Sequence, residues 1–154
     1  MSVMAVTAAC VTGPANAQNA VFGQWRVTGS TCAPGGCALS PAETESWLGR
    51  IAIYGDTIAR FAEHSCAHPA YMVDYWPADG SYGGARFADL GLAGDSAMVV
   101  VIRCPGQPPT SSLDNAWQVP GAFLIVKDPE HLLTEWEGVF LELTRQTGEP
   151  PEPR

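Results

Sequence analysis

Residues 121–145 read GAFLIVKDPEHLLTEWEGVFLELTR, three short apolar runs separated by Asp128-Pro129 and by Glu137-Gly138. Gly121 to Val126, Leu132 to Trp136 and Val139 to Arg145 each have the length of a strand, and the residues between them favour tight turns. The stretch therefore predicts an antiparallel meander.

The same punctuation continues upstream. Ala97 to Cys104 is the most apolar run in the chain, which predicts a strand near the middle of a sheet. Pro105 to Val119, rich in Pro, Ser and Gln, separates it from the meander as a long loop. Arg86 to Leu90 is expected as a short edge strand, Asp79 to Gly84 as a mobile Gly-rich loop, and Ala70 to Trp76 as a further strand. Arg50 to Tyr54 and Thr57 to Glu63 alternate around Gly55-Asp56, a pair suited to a two-residue hairpin. Val21 to Gly29 opens the set, with Gly23, Trp25 and Val27 on one face. One short helix interrupts it: Ser40-Pro41-Ala42-Glu43 is a capping box with Pro at the first helical position, and Gly49 is its stop. The expected fold class is all-β, a small antiparallel up-and-down barrel or strongly curled sheet of about eight strands with one short helix.

Residues 1–17 carry no charged side chain, and Ala15-Asn16-Ala17 has the small-x-small pattern of a signal-peptidase site. The expected organisation is a signal peptide over 1–17, cleaved after Ala17, then one domain over 18–146 and a disordered tail over 147–154. No basic residue precedes Arg26, which is explained if the true start lies upstream of Met1. Ala8-Ala9-Cys10 offers a rival processing route, in which Cys10 would be lipidated. A membrane span is not expected, because Gly13-Pro14 interrupts the only apolar segment well short of the roughly 20 residues that a bilayer requires.

Past Ala17 four cysteines remain: Cys32, Cys37, Cys66 and Cys104. An even count in an exported chain predicts disulfides, and four cysteines allow three connectivities. The pairing Cys32–Cys37 with Cys66–Cys104 is preferred. On the loop-entropy model the short bridge would contribute about 2 kcal/mol and the long one about 4 kcal/mol. The formal charge of −8, from 8 basic and 16 acidic side chains, argues against nucleic acid as a partner and permits a cationic one.

Gly23-Gln24-Trp25 in the first strand resembles the Gly-x-Trp signature of the lipocalins and wider calycin-like barrels. In those folds the Trp closes one end of the barrel and an Arg from the last strand lies across its ring. Arg145, ending Phe140-Leu141-Glu142-Leu143-Thr144-Arg145, stands at the matching place. The resemblance implies a structural role for Gly23, Trp25 and Arg145, the indole–guanidinium contact being worth roughly 0.5–2 kcal/mol. With two mid-chain cysteines, the pattern is also similar to small periplasmic domains, some of them like bacterial protease or lysozyme inhibitors.

Candidate chemistry is sparse. His64, Cys66 and His68 alternate, so on a strand they would share a face and offer imidazole and thiolate to zinc. A fourth ligand is missing, and a cysteine in an oxidising compartment is better used in a bridge, so neither a metal nor another cofactor is expected. No Ser stands in a nucleophile elbow, and no catalytic residue is assigned. Glu135, Glu137 and Glu142 alternate with apolar residues, as on the solvated face of a sheet. The aromatic set Tyr71, Tyr75, Trp76 and Tyr82 surrounds the Gly-rich loop and is the candidate binding surface. The expected function is an exported periplasmic binding or inhibitor-like module, taking a cationic envelope protein or a small apolar ligand at its loop rims or barrel interior. The alternative is a hydrolase or metal-dependent enzyme using His64, His68 or His131.

Overall fold

The computed structural model describes residues 14–105 and 117–148. A short helix, α1 (Pro14–Val21), leads into β1 (Gly23–Cys32), followed by α2 (Pro41–Trp47), β2 (Ile51–Tyr54), β3 (Ile58–Phe61), β4 (His64–Ala67) and β5 (Ala70–Pro77). A small hairpin, β6 (Ser81–Tyr82) and β7 (Ala85–Arg86), and a 3-10 turn (Ala88–Leu90) come next. The last four strands are β8 (Ser96–Arg103), β9 (Phe123–Asp128), β10 (His131–Trp136) and β11 (Val139–Arg145).

Nine strands form one antiparallel sheet in the order β4-β3-β2-β1-β11-β10-β9-β8-β5, curled into a half-barrel. Its centre is where the chain's two ends meet, with Trp25 opposite Arg145 and Val27 opposite Leu143. The two outer strands are tied back together. Cys66 of β4 bridges to Cys104 just past β8, with Cα atoms 5.7 Å apart. The Tyr71 hydroxyl on β5 also donates to the Gly55 carbonyl (2.9 Å) and accepts from its N–H (3.1 Å). The second bridge, Cys32–Cys37, closes a short loop with Cα atoms 5.3 Å apart. Two such bridges suit an oxidising, exported environment. Among the described residues no helix is long and apolar enough to cross a membrane.

The curl gives the sheet an inner face that it fills itself. Trp25, Tyr54, Phe61, Leu124, Leu132, Leu141 and Leu143 are fully or almost fully buried there. The opposite face carries a second apolar cluster, with Val99, Ile125, Leu133 and Phe140 buried beneath Ala85 and Leu90. Residues 78–95 supply that cover, leaving the sheet after β5 and returning at β8.

Several local expectations need correction. Val21 and Phe22 do not belong to the first strand: Val21 ends α1, is buried, and its carbonyl accepts the Trp25 indole N–H at 2.8 Å. The strand expected over Thr57 to Glu63 is β3, shortened to Ile58–Phe61 because Ala62 takes φ 52° and turns the chain towards β4. The turn between β2 and β3 is centred on Asp56-Thr57, since the Gly55 N–H donates to the Ile58 carbonyl. The Gly-rich stretch contains β6, and Gly83-Gly84, with φ 52° and 81°, form its two-residue turn to β7.

Arg86 to Leu90 is not an edge strand. Asp89 accepts the Arg86 N–H at 2.8 Å and draws the segment into the 3-10 turn, which buries Leu90. Ala97 to Cys104 corresponds to β8, which lies beside the edge strand β5 and not near the middle. It is apolar throughout because Val100 and Ile102 enter the inner core while Ala97 and Val99 enter the outer one. The expected leader up to residue 13, Cys10, most of the loop 105–119 (residues 106–116) and the tail from residue 149 lie outside the described residues.

Candidate functional site

Two of the places where charged and aromatic side chains meet, among the described residues, bear on function. The first is at one end of the half-barrel. The Arg145 guanidinium lies over the Trp25 indole, 4.1 Å from the ring centroid. Its nitrogens donate to the carbonyls of Pro129 (2.9 Å), Phe22 (2.7 Å) and Ala20 (3.0 Å), so the charge has partners on all sides. Gly23 has φ 131°, and a Cβ there would come within 2.9 Å of Arg145 Nη1, so the close approach depends on glycine. The cluster holds α1, β1 and β11 together, and with the indole fully buried it leaves no space for a ligand.

The second place is a hollow of about 510 Å3 at the rim, where β9 and β10 meet the segment around residues 117–122. One wall is an aromatic cluster. Tyr82 stacks on Phe123 with centroids 4.7 Å apart and planes at 4°, and Trp76 packs against both at 4.4 and 5.6 Å. Facing it are Trp117, Val119, Ala122 and Trp136. The polar members are Gln118 and Glu135. Glu135 is half-buried and accepts the Gly138 N–H at 2.6 Å, fixing it on the turn between β10 and β11. Burial, and then the nearby Glu135 charge, push the Tyr82 hydroxyl above the ordinary tyrosine range, so it remains a protonated donor.

The four aromatic candidates from the sequence divide between these surroundings. Trp76 and Tyr82 line the hollow. Tyr71 faces the inner core, edge-on to Phe22 with centroids 5.0 Å apart. Burial pushes its hydroxyl up to about 12, against the pull of the Gly55 hydrogen bond. Tyr75 is 57% exposed on β5, its N–H capped by the Asp74 carboxylate at 2.8 Å.

The histidines are dispersed. His131 Nδ1 bonds the Asp128 carboxylate at 2.9 Å. His64 stands 3.8 Å from Glu63. His68, at φ 51°, occupies the turn after β4, which breaks the expected alternation with His64 and Cys66. Cys66 is bonded to Cys104, and among the described residues no three of His, Cys, Asp or Glu converge on a common point.

Sequence reasoning missed Trp117, Phe123, Trp136 and Glu135 as site residues. The carboxylates read as one solvated face are also different in kind. Glu135 and Glu142 lie on the outer apolar face, Glu142 paired with Lys127 at 2.9 Å, while Glu137 is in a turn at φ 50°. A signal was available: Trp117 and Trp136 each adjoin a predicted loop or turn, where a large ring is not needed for sheet packing.

Comparison with protein-family models, with curated proteins and with solved structures finds no match to this chain. Fold and site together define a class: a disulfide-braced antiparallel half-barrel, filled inside, with one aromatic hollow at its rim.

Proposed function

We propose that this chain is an exported periplasmic binding module that takes a small apolar ligand in the rim hollow formed by Trp76, Tyr82, Trp117, Phe123 and Trp136. The observation that carries the proposal is a filled interior combined with an open, aromatic rim of about 510 Å3. That volume falls within the roughly 300–1,000 Å3 of small-molecule sites, and an apolar wall with a few placed polar groups is their usual composition. The calycin-like resemblance of Gly23, Trp25 and Arg145 supports a scaffold role for the opposite end. The two disulfides support export, and processing after Ala17 is compatible with the folded part. Ala20, Val21 and Phe22, which engage the sheet through a buried side chain and through carbonyls accepting from Arg145, all follow that position.

The test is a titration with N-phenyl-1-naphthylamine, a neutral dye that fluoresces in apolar surroundings. Saturable one-to-one uptake is expected, weakened about tenfold by Trp136→Ala, which removes one indole wall worth on the order of 1.5 kcal/mol. Uptake that never saturates, or that ignores Trp136→Ala, would remove the hollow as a site. A mature mass beginning at Gln18, with no free thiol, is expected for the exported protein.

A further inference from the structure

Among the described residues, the hollow has one acidic side chain and no basic one. Glu135 uses one oxygen to accept from Gly138, and among the described residues it forms no ion pair. A half-buried carboxylate without a counter-charge is incompletely compensated, and a cation at that place would repay its lost hydration. The rings beside it add to this preference, because the face of an indole or phenol attracts a positive charge. Tyr82, Phe123 and Trp76 occupy one another's faces. Among the described residues, however, neither Trp117 nor Trp136 packs against another aromatic ring. Trp117 is only 4% exposed and packed into the inner core, whereas Trp136 is half-buried and lines the hollow, so Trp136 is the indole left to meet an occupant.

Resting on the rim-site reading above, we infer that the hollow takes an organic cation: an ammonium-bearing molecule whose charged head sits between Glu135 and the indole of Trp136, with its apolar body against the Tyr82–Phe123 wall. Other ligand classes fit less well. An anion would meet Glu135 and the field of a chain with formal charge −8. A neutral polyol needs many convergent hydrogen-bonding groups, and among the described residues the lining offers only Gln118 and Glu135 besides the Tyr82 hydroxyl and the indole N–H groups.

The test compares benzoylcholine with its uncharged carbon isostere, 3,3-dimethylbutyl benzoate, by titration calorimetry on the full chain. Cation–π contact plus one carboxylate predicts that benzoylcholine binds about tenfold or more tightly than the isostere. Glu135→Gln retains the acceptor for Gly138 and removes the charge, so the ratio is expected to collapse to about threefold or less, with the thermal midpoint as the check on folding. Equal binding of the two probes to the unaltered chain would overturn the cation, as would a ratio that survives Glu135→Gln. In either case dye uptake would leave the rim site standing. If neither probe nor the dye binds, the rim site and the cation fall together.

Discussion

The two faces of this one sheet are closed in different ways. The inner face is closed by distant parts of the chain: β1 meets β11 at the centre, and the Cys66–Cys104 bridge returns β4 to the far edge. Large side chains fill that face, and two of its buried polar groups are paired, Tyr54 donating to the Gly121 carbonyl at 2.9 Å and Thr134 accepting the Gly121 N–H at 3.0 Å. The outer face is closed by a short local excursion, residues 78–95, which brings Tyr82, Ala85, Phe87, Leu90 and Leu92 onto it. The hollow lies where the two closures meet, between Trp76, Tyr82 and Phe123 of the outer cluster and Trp117, Val119 and Ala122 of the inner one. On the function proposed above, the inner face carries stability and the outer face's rim carries binding.

The most severe test of that division is Trp25→Ala. It empties a fully buried indole, strips the Arg145 guanidinium of its ring and leaves the Val21 carbonyl without its donor. A loss of about 4 kcal/mol is expected in denaturant unfolding, in the range for large aromatic truncations, with the rim's affinity for its probes preserved in whatever fraction stays folded. A loss below about 1 kcal/mol would mean that the inner face is not the stabilising one. Tyr82→Ala makes the reciprocal test on the outer face. The ring is half-buried and stacked on Phe123, so the stability cost is expected near 1–2 kcal/mol, while dye uptake falls by more than for any inner-face change. If Tyr82→Ala proves as destabilising as Trp25→Ala, the two faces are not distinct in role.

Much of the inner face was legible because local chemistry and long-range packing agree there. The meander 121–145 reads directly from turn residues and run lengths, and the Ser40–Glu43 capping box forms as its pattern requires. The outer face was less legible for a physical reason. Period-two alternation presumes one wet face, but β8 and β11 carry apolar residues on both sides, so Val99 and Phe140 follow no polar–apolar alternation that sequence can decode. The hollow depends on where residues 78–95 settle. That is fixed by a few contacts, Asp89 accepting the Arg86 N–H and Leu90 finding the second core, which leave no periodic trace.

The smallest expected effect concerns α2, whose Trp47 leans on Phe61 at 5.7 Å along the margin of the inner core. The Ser40 backbone N–H (2.8 Å), followed by the Ser40 hydroxyl (2.7 Å), donates to Glu43, and these bonds to the charged form hold its carboxyl below the ordinary 4.5. A carboxyl lowered on folding adds stability that is fully present above its unfolded value and is lost as pH falls through the folded one. Acidification below the ordinary glutamate range should therefore release the cap of α2. NMR titration of the Glu43 carboxyl should give a midpoint below an ordinary glutamate's. Glu43→Gln, which can form the same box, should keep the helix and remove its pH response. An ordinary midpoint for Glu43 would show that the cap does not persist in solution. Because Glu43 is fully exposed and α2 buries no residue completely, the loss should stay within that helix. If acidification also changed dye uptake at the rim, the margin of the inner core and the hollow would be coupled, and the division between the two faces would have to be redrawn.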